Sequence, residues 1–419
     1  MNYKLIRGFH DILPEQIKRW HFIENAAREV FESYGFNEIR LPVLELTDIY
    51  MTGIGDTTDI VEKEMYTFDD RDGSSLTLRP EGTAGVVRSF IENSFYKKSP
   101  TSKFYYMGPM FRHERPQKGR YRGFNQIGCE YFGSGNAGAD AEIIAMLWYF
   151  FQKIGFNNTV AIEINSIGDD ESRNNYKSAL INFLSPFEER LCDQCRRKLN
   201  TNPLRILDCK NKSCKDITTD APKITDYLSD SSNGHFKKLI QILEDLSIPF
   251  TVNDKIVRGL DYYTETVFEF TTDNLGSQNA VAAGGRYNNL VEKMGGPSIP
   301  ATGFALGLER IILLHEQISE DTFNFPTDIY IAWIGDESFI QAMKLAIELR
   351  NRGNSVFIEH DSKSIKSQLK RSNRLDSAFT IIIGYEELQN GRVTIRNMRE
   401  STEESIDLKN TDKLYNYFT

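Results

Sequence analysis

The chain has 419 residues, more than one ordinary hydrophobic core accommodates, so two or three domains are expected. With 40% hydrophobic and 26% charged residues the composition is that of a globular protein with ample material for a buried core. The net charge of −9 excludes nucleic-acid binding through bulk charge alone; an RNA partner would have to meet local basic patches on an acidic body.

In chain order, the opening MNYKLIRGFH mixes charges with a glycine and does not read as a secretory leader, and the longest apolar runs, such as Phe379 to Ile383, are far short of a membrane span. Five cysteines without a leader argue against a disulfide framework, so a cytoplasmic, reduced protein is expected. Ile17, Trp20, Ile23, Ala27, Val30 and Tyr34 recur at three- and four-residue steps and predict a helix from about Pro14 to Tyr34, stopped by Gly35. A strand is expected from Ile39 to Leu44, at an edge or an interface because Pro42 cannot donate to a ladder. Short β-type runs between Leu76 and Phe132 suggest an antiparallel sheet, followed by a helix over Ala139 to Ile154 and a strand over Val160 to Asn165.

Residues 170 to 250 are polar, helix-prone and cysteine-containing, the character of an insertion. Strands return at Val267 to Thr271 and Val281 to Ala283, and a glycine-rich helix start precedes Ile311 to Leu314. Pro326 marks the last boundary, dividing 1–322 from 326–419. Beyond it, alternating apolar strands and amphipathic helices imply a small α/β sheet with crossover helices.

The most informative window is Phe104 to Gly133, FYYMGPMFRHERPQKGRYRGFNQIGCEYFG. Two strand-like arms flank a loop with Arg112, Arg115, Lys118, Arg120 and Arg122, and Glu114 as its one acid. Most charge clusters are solvated hairpin tips. Here rigid aromatic arms would hold Arg112 and Glu130 on neighbouring strands, and arginine forks suit bidentate phosphate contacts.

This window resembles the second signature motif of class II aminoacyl-tRNA synthetases, and the resemblance spreads along the chain. RGFHDILP (Arg7 to Pro14) is similar to the opening of histidyl-tRNA synthetases, and GFNEIRLP (Gly35 to Pro42) to the first class II motif, whose proline lies at the dimer interface. TDIVEKEMYTF (Thr58 to Phe68) and LRPEGT (Leu78 to Thr83) are similar to further family blocks. RGLDYYT (Arg258 to Thr264) resembles the family's histidine-binding motif, and GFALGLER (Gly303 to Arg310) the third class II motif.

The resemblance implies an α+β protein: an antiparallel-sheet catalytic domain with a helical insertion, a C-terminal α/β anticodon-binding domain, and a homodimer. It implies activation of L-histidine by ATP, with Mg2+, and transfer to tRNA(His). Activation builds negative charge at the α-phosphate, so preorganised cations should be the largest catalytic term. By resemblance Arg112 is the α-phosphate ligand, Arg310 holds the γ-phosphate and lies against adenine, and Arg258 does what a metal does in relatives. Glu114 and Arg120 are implied as further ATP contacts, with Phe124 stacking on adenine. Taken alone, a strand phenylalanine is more often core.

Selecting histidine needs polar partners on both ring nitrogens, because partners left unpaired by a wrong side chain are penalised. The resemblance puts Glu130 and Tyr263 there, Glu81 and Thr83 at the ammonium, Gln126 between ammonium and carboxylate, and Tyr262 and Tyr287 along the pocket. Ala282 to Tyr287, a glycine-rich strand, would let ligand and backbone approach closely. Arg115 and Gln117 are candidates for the acceptor end of the tRNA. Lys363 to Arg374, five cations and no acid, is the expected anticodon patch, with Lys363, Lys366, Lys370 and Arg371 as its contacts against the plain reading of a solvated helix face.

After ArgTyrArg (Arg120 to Arg122) the family commonly has GlnPheHis where this chain has GlyPheAsn, Gly123 to Asn125, with little effect expected on the pocket. Cys192-x-x-Cys195 and Cys209-x4-Cys214 suit a structural zinc site or free thiols equally, whereas Cys129 and His113 read as structural. The rival function is a histidine-binding regulatory paralogue without charging activity. Such paralogues lack the C-terminal domain and erode the ATP arginines, which this chain retains at Arg112, Arg258 and Arg310.

Overall fold

The structure, a computed structural model, describes residues 3–55, 58–209, 211–256, 260–275, 279–319, 328–361, 363–410, 413–414 and 417–418. Arg258 and the expected boundary at 322–326 lie outside the described residues. The chain forms two compact units, Met1–Asp321 and Thr322–Thr419.

The first unit is built on an eight-stranded sheet in the order Asn37–Glu38, Ser102–Phe111, Gly123–Phe132, Ala301–Gly307, Ala280–Arg286, Thr264–Thr271, Ala161–Ser166, Thr251–Val252. Only its two outer pairings are parallel; the rest is antiparallel. Strand alternation divides its residues between two faces. Tyr105, Ile127, Cys129, Phe268, Phe270, Phe304 and Leu306 point into the main core, where they meet the Pro14–Ser33, Ala137–Lys153, Asp230–Asp245 and Leu308–Ile318 helices. The stripe on the Pro14–Ser33 helix packs there as its periodicity predicts: Trp20, Ile23, Ala27 and Val30 are buried, and Gly35 follows with φ +79°.

Several expectations are corrected. No strand runs from Ile39 to Leu44: Pro42 leaves two short strands, Asn37–Glu38 and Leu44–Leu46, in different sheets. Ser75–Leu78 does not join the main sheet but is the middle strand of a three-stranded sheet between Leu44–Leu46 and Tyr66–Asp69. The glycine-rich stretch before Ile311 is the Ala301–Gly307 strand, and the helix starts only at Leu308. In the polar stretch 170 to 250, the Asp230–Asp245 helix buries Phe236, Leu239 and Leu243 in the main core, while the residues around the cysteines pack under the opposite face of the sheet.

The second unit holds a five-stranded sheet, Val356–Ile358, Ile329–Trp333, Phe379–Ile383, Arg392–Asn397, Glu403–Asp407. Its first three strands are parallel, as the alternating pattern predicts; the antiparallel pair that completes it was not foreseen. The Asp336–Asn351 helix contributes apolar side chains to its core, whereas the Ile365–Arg374 helix docks through polar ones. Gln368 accepts from the Trp333 N–H (3.1 Å) and donates to the Trp333 carbonyl (2.6 Å), and the hydroxyls of Ser372 and Thr380 pair at 2.6 Å.

Candidate active site

The face of the large sheet turned away from the main core is paved with small residues where three strands meet. Gly128, Gly303, Ala305, Gly307, Ala283 and Gly285 lie side by side in register. Missing side chains at Ala283, Gly303, Ala305 and Gly307 leave a cavity of about 400 Å³. It is lined by Glu81, Thr83, Arg112, Glu114, Arg120, Phe124, Gln126, Glu130, Tyr262, Tyr263, Tyr287 and Arg310. Every residue that the family resemblance assigned to histidine or ATP thus borders one cavity, Arg258 excepted, which is not described. Phe124, Gln126 and Glu130 share one face of the Gly123–Phe132 strand, and six residues of strand span about 20 Å.

At one end sits Glu130, 1% exposed. Its carboxylate accepts from the Thr83 hydroxyl (2.7 Å) and from the Tyr287 hydroxyl. Burial pushes the Glu130 carboxyl up to about 8, against the pull of those hydroxyls. Gly303 faces it across the ladder; a Cβ there would stand 2.1 Å from Glu130 Oε2, so glycine is required. Glu81 accepts from the backbone N–H groups of Thr83 (2.7 Å) and Ala84 (2.8 Å), capping the Thr83–Glu92 helix and aligned with its dipole. Burial raises its carboxyl too, opposed by those N–H groups. The rings of Tyr262 and Tyr263 lie 4.7 Å apart, and Tyr262 meets Tyr287 edge-on at 5.5 Å. Tyr106, which the sequence did not single out, lies over Gly82 and Gly128 and donates to Gln126 Oε1 at 3.4 Å.

The other end is cationic. Arg112 lies one residue past its strand, with Nε donating to the Pro80 carbonyl (2.7 Å) and its guanidinium 5.4 Å from the centre of the Phe124 ring. Arg120 pairs with Glu114, whose backbone carbonyl accepts from Arg122 Nε at 3.0 Å. Burial lowers the pKa of Arg112, Arg120 and Arg310, though the Arg120 side chain keeps 39% of its surface in solvent. Arg115 and Gln117 are exposed on the hairpin that the Gln117–Arg120 bridge closes, and neither of the two lines the cavity.

Glu309 was missed. Beside Arg310 it reads as motif filler, yet it borders the cavity and accepts from the Asn125 backbone N–H (2.8 Å) and side-chain amide (3.1 Å). Burial pushes its carboxyl up to about 7. At the GlyPheAsn departure the Asn125 side chain holds Glu309, and a Cβ at position 123 would meet the Phe9 ring at 2.7 Å.

In the second unit Lys366 and Lys370 are exposed, but Lys363 and Arg371 both pair with Glu359, at 2.9 and 3.2 Å. Of the cysteines, Cys129 is buried in the main core, while Cys192, Cys195, Cys209 and Cys214 gather away from the cavity, their sulfurs all within 4.8 Å of one another. No helix among the described residues is long and apolar enough to cross a membrane.

An antiparallel-rich sheet with a row of arginines and an acidic, tyrosine-lined end in one cavity is the architecture of a class II aminoacyl-tRNA synthetase. The family pattern described as histidyl-tRNA synthetase matches residues 8–168 and 206–311, and an anticodon-binding domain pattern matches 328–414. The chain belongs to the histidyl-tRNA synthetase family. It is 46% identical over 414 residues to a histidine–tRNA ligase of Syntrophotalea carbinolica, covering 99% of this chain and 98% of that one. It is 47% identical over 406 residues to that of Geobacter metallireducens, covering 97% of each. The crystal structure of apo S. aureus histidyl-tRNA synthetase superposes with a TM-score of 0.83 at 39% identity, covering all of both chains.

Proposed function

We propose that the chain is a histidine–tRNA ligase: the carboxylate of L-histidine attacks the α-phosphorus of ATP and expels pyrophosphate, and the adenylate then passes histidine to the 3′ end of tRNA(His), releasing AMP. The observation that carries this reading is the polarity of one cavity, with Glu130, Glu81 and tyrosine hydroxyls at one end and Arg112, Arg120 and Arg310 at the other. A ligand spanning it would be cationic and ring-bearing at one end and phosphorylated at the other.

In this reading Glu130 and Tyr263 take the imidazole nitrogens, Glu81 and Thr83 the ammonium, and Gln126 the carboxylate side, with Tyr262 and Tyr287 as walls. Arg112 receives the α-phosphate, where its charge gains strength from burial as the pentacovalent centre forms. Arg310 takes the γ-phosphate, Glu114 and Arg120 further ATP contacts, and Phe124 stacks on adenine with Arg112 behind it. Mg2+ arrives with the triphosphate as part of the substrate. Arg258 takes, by family resemblance alone, the role that a metal plays in relatives. Arg115 and Gln117 would meet the acceptor end, and Lys363, Lys366, Lys370 and Arg371 the anticodon region, in a cytoplasmic homodimer.

The test is histidine-dependent exchange of pyrophosphate into ATP, followed by charging of tRNA(His). Exchange with histidine alone among the amino acids is expected. Histidine binding without exchange would replace this reading with that of a regulatory paralogue.

A further inference from the structure

We propose that Cys192, Cys195, Cys209 and Cys214 bind one structural Zn2+ as a tetrahedral thiolate centre, and that this centre positions the wall of the histidine pocket. Four sulfurs around a zinc at about 2.3 Å lie about 3.8 Å apart. Here all four lie within 4.8 Å of one another, with Cys192 and Cys209 sulfurs at 3.9 Å, and all are free thiols. Backbone donors already point at two of them. The Cys192 N–H is 3.3 Å from Cys214 Sγ, and the Asn211 N–H is 3.4 Å from Cys209 Sγ, the contacts a metal-bound thiolate accepts. Zinc with four thiolates carries two net negative charges; the cleft beside Cys192, Cys195 and Cys209 holds Lys198 and Arg205 together with Asp59, Asp193 and Asp208, so it is the sulfur geometry and not local charge that points to the metal.

The elements around the cluster are too short to hold themselves: a six-residue helix (Asp193–Lys198), a four-residue turn (Pro203–Ile206) and a seven-residue helix (Lys212–Thr218). Leu191, Leu199, Ile206 and Ile217 anchor them in the core, and a metal staple would add a tie between the segments that carry the two cysteine pairs. The family pattern skips 169–205, which holds Cys192 and Cys195, and matches 206–311, which holds Cys209 and Cys214, so only half of the centre lies in the stretch that pattern describes.

The turn between the cysteine pairs reaches the site. Arg205 Nη2 and Asn202 Nδ2 donate to the Asp261 carboxylate at 2.9 and 3.3 Å, immediately before Tyr262 and Tyr263, and Lys198 pairs with Asp59 at 3.8 Å next to the cavity-lining Ile60. Fixing the cysteines therefore fixes Arg205, then Asp261, then the two tyrosines. This second step rests on the assignment of those tyrosines to histidine.

Metal analysis by mass spectrometry of the full chain, purified without chelator, is the first readout, with Cys209→Ser and Arg205→Ala beside it. About one zinc per chain is expected, lost in Cys209→Ser and kept in Arg205→Ala. Both variants should raise KM for histidine in pyrophosphate exchange about five- to tenfold, a modest site-to-site coupling, with KM for ATP unchanged. Fully reduced wild-type protein that neither carries zinc nor takes Zn2+ from a coloured chelator overturns the centre, as does iron in its place. Zinc present with an unaltered histidine KM in Arg205→Ala overturns the coupling. Zinc content is read without turnover, so it stands or falls apart from the ligase activity.

Discussion

Glu130 titrates near 8 because burial outweighs the hydroxyls of Tyr287 and Thr83 that donate to it. Its unfolded value is about 4.3, so between these values the native state holds a proton that the unfolded chain has lost. The stability this contributes is complete below pH ~4.3 and is lost as pH rises through about 8. An imidazole N–H, by contrast, needs the carboxylate as acceptor. Histidine-dependent kcat/KM should therefore rise with pH towards about 8. Glu130→Gln should flatten that limb and lower kcat/KM by about 1.5–3 kcal/mol, the worth of a hydrogen bond to a charged group. The same variant should melt higher relative to wild type at pH 9 than at pH 6. An unchanged pH–rate profile would remove Glu130 from the imidazole. Gly303→Ala should displace the same carboxylate by steric contact, raising KM for histidine and costing about 1–3 kcal/mol in thermal unfolding; a variant with native KM would show that the pocket yields. Glu130 was legible because a motif carried it. Glu309 lay inside the third motif but was passed over, since its partner Asn125 stands 184 positions away and only the packing of the Leu308–Ile318 helix start against the Gly123–Phe132 strand brings them together.

At the scale of elements, the Ile365–Arg374 helix owes its geometry to two buried polar anchors, Gln368 and Ser372, which leave its opposite side to cations. Lys363 and Arg371 are partly neutralised by Glu359, so Lys366 and Lys370 carry more of the free positive potential than a count of cations suggests. Lys366→Ala with Lys370→Ala should weaken tRNA binding and reduce its salt dependence by about one slope unit per lysine, with pyrophosphate exchange unaltered. Charging kinetics at two salt concentrations decide this; an unchanged KM for tRNA would return the helix to a solvated face. Long amphipathic elements, such as the Pro14–Ser33 helix, were readable because core packing enforces their period. The Ala301–Gly307 strand was misread because its cavity-facing positions are stripped to glycine and alanine, erasing the apolar alternation that marks a strand. The paired strands Arg392–Asn397 and Glu403–Asp407 alternate polar residues outward on short runs, and the sequence pattern left them unassigned.

For the whole molecule, the three-stranded sheet is the feature that a single chain leaves unsatisfied. Its register sets Leu44 and Tyr66 opposite Leu78, and Leu46 and Phe68 opposite Leu76, so all six apolar residues share one face. Leu46 is 54% exposed and Phe68 46%, a row of large side chains that a monomer has no reason to leave in water. A second copy of the chain is the occupant expected from the family resemblance, and the face is tied to the chemistry. Buried Arg79, one residue past the Ser75–Leu78 strand, donates to the carbonyls of Leu41 (2.8 Å) and Pro109 (2.7 Å), and its own carbonyl accepts from the Phe111 N–H (2.9 Å). Arg112 follows at once, held to the Pro80 carbonyl. Loss of the partner would loosen this frame and, with it, the guanidinium assigned to the α-phosphate. Wild type is expected to sediment as a dimer and Leu44→Glu with Leu46→Glu as a monomer, and the variant should lose kcat for pyrophosphate exchange although neither residue lines the cavity. A monomeric wild type would leave the apolar face without this partner, and a monomeric variant with full exchange would cut the link between the interface and Arg112.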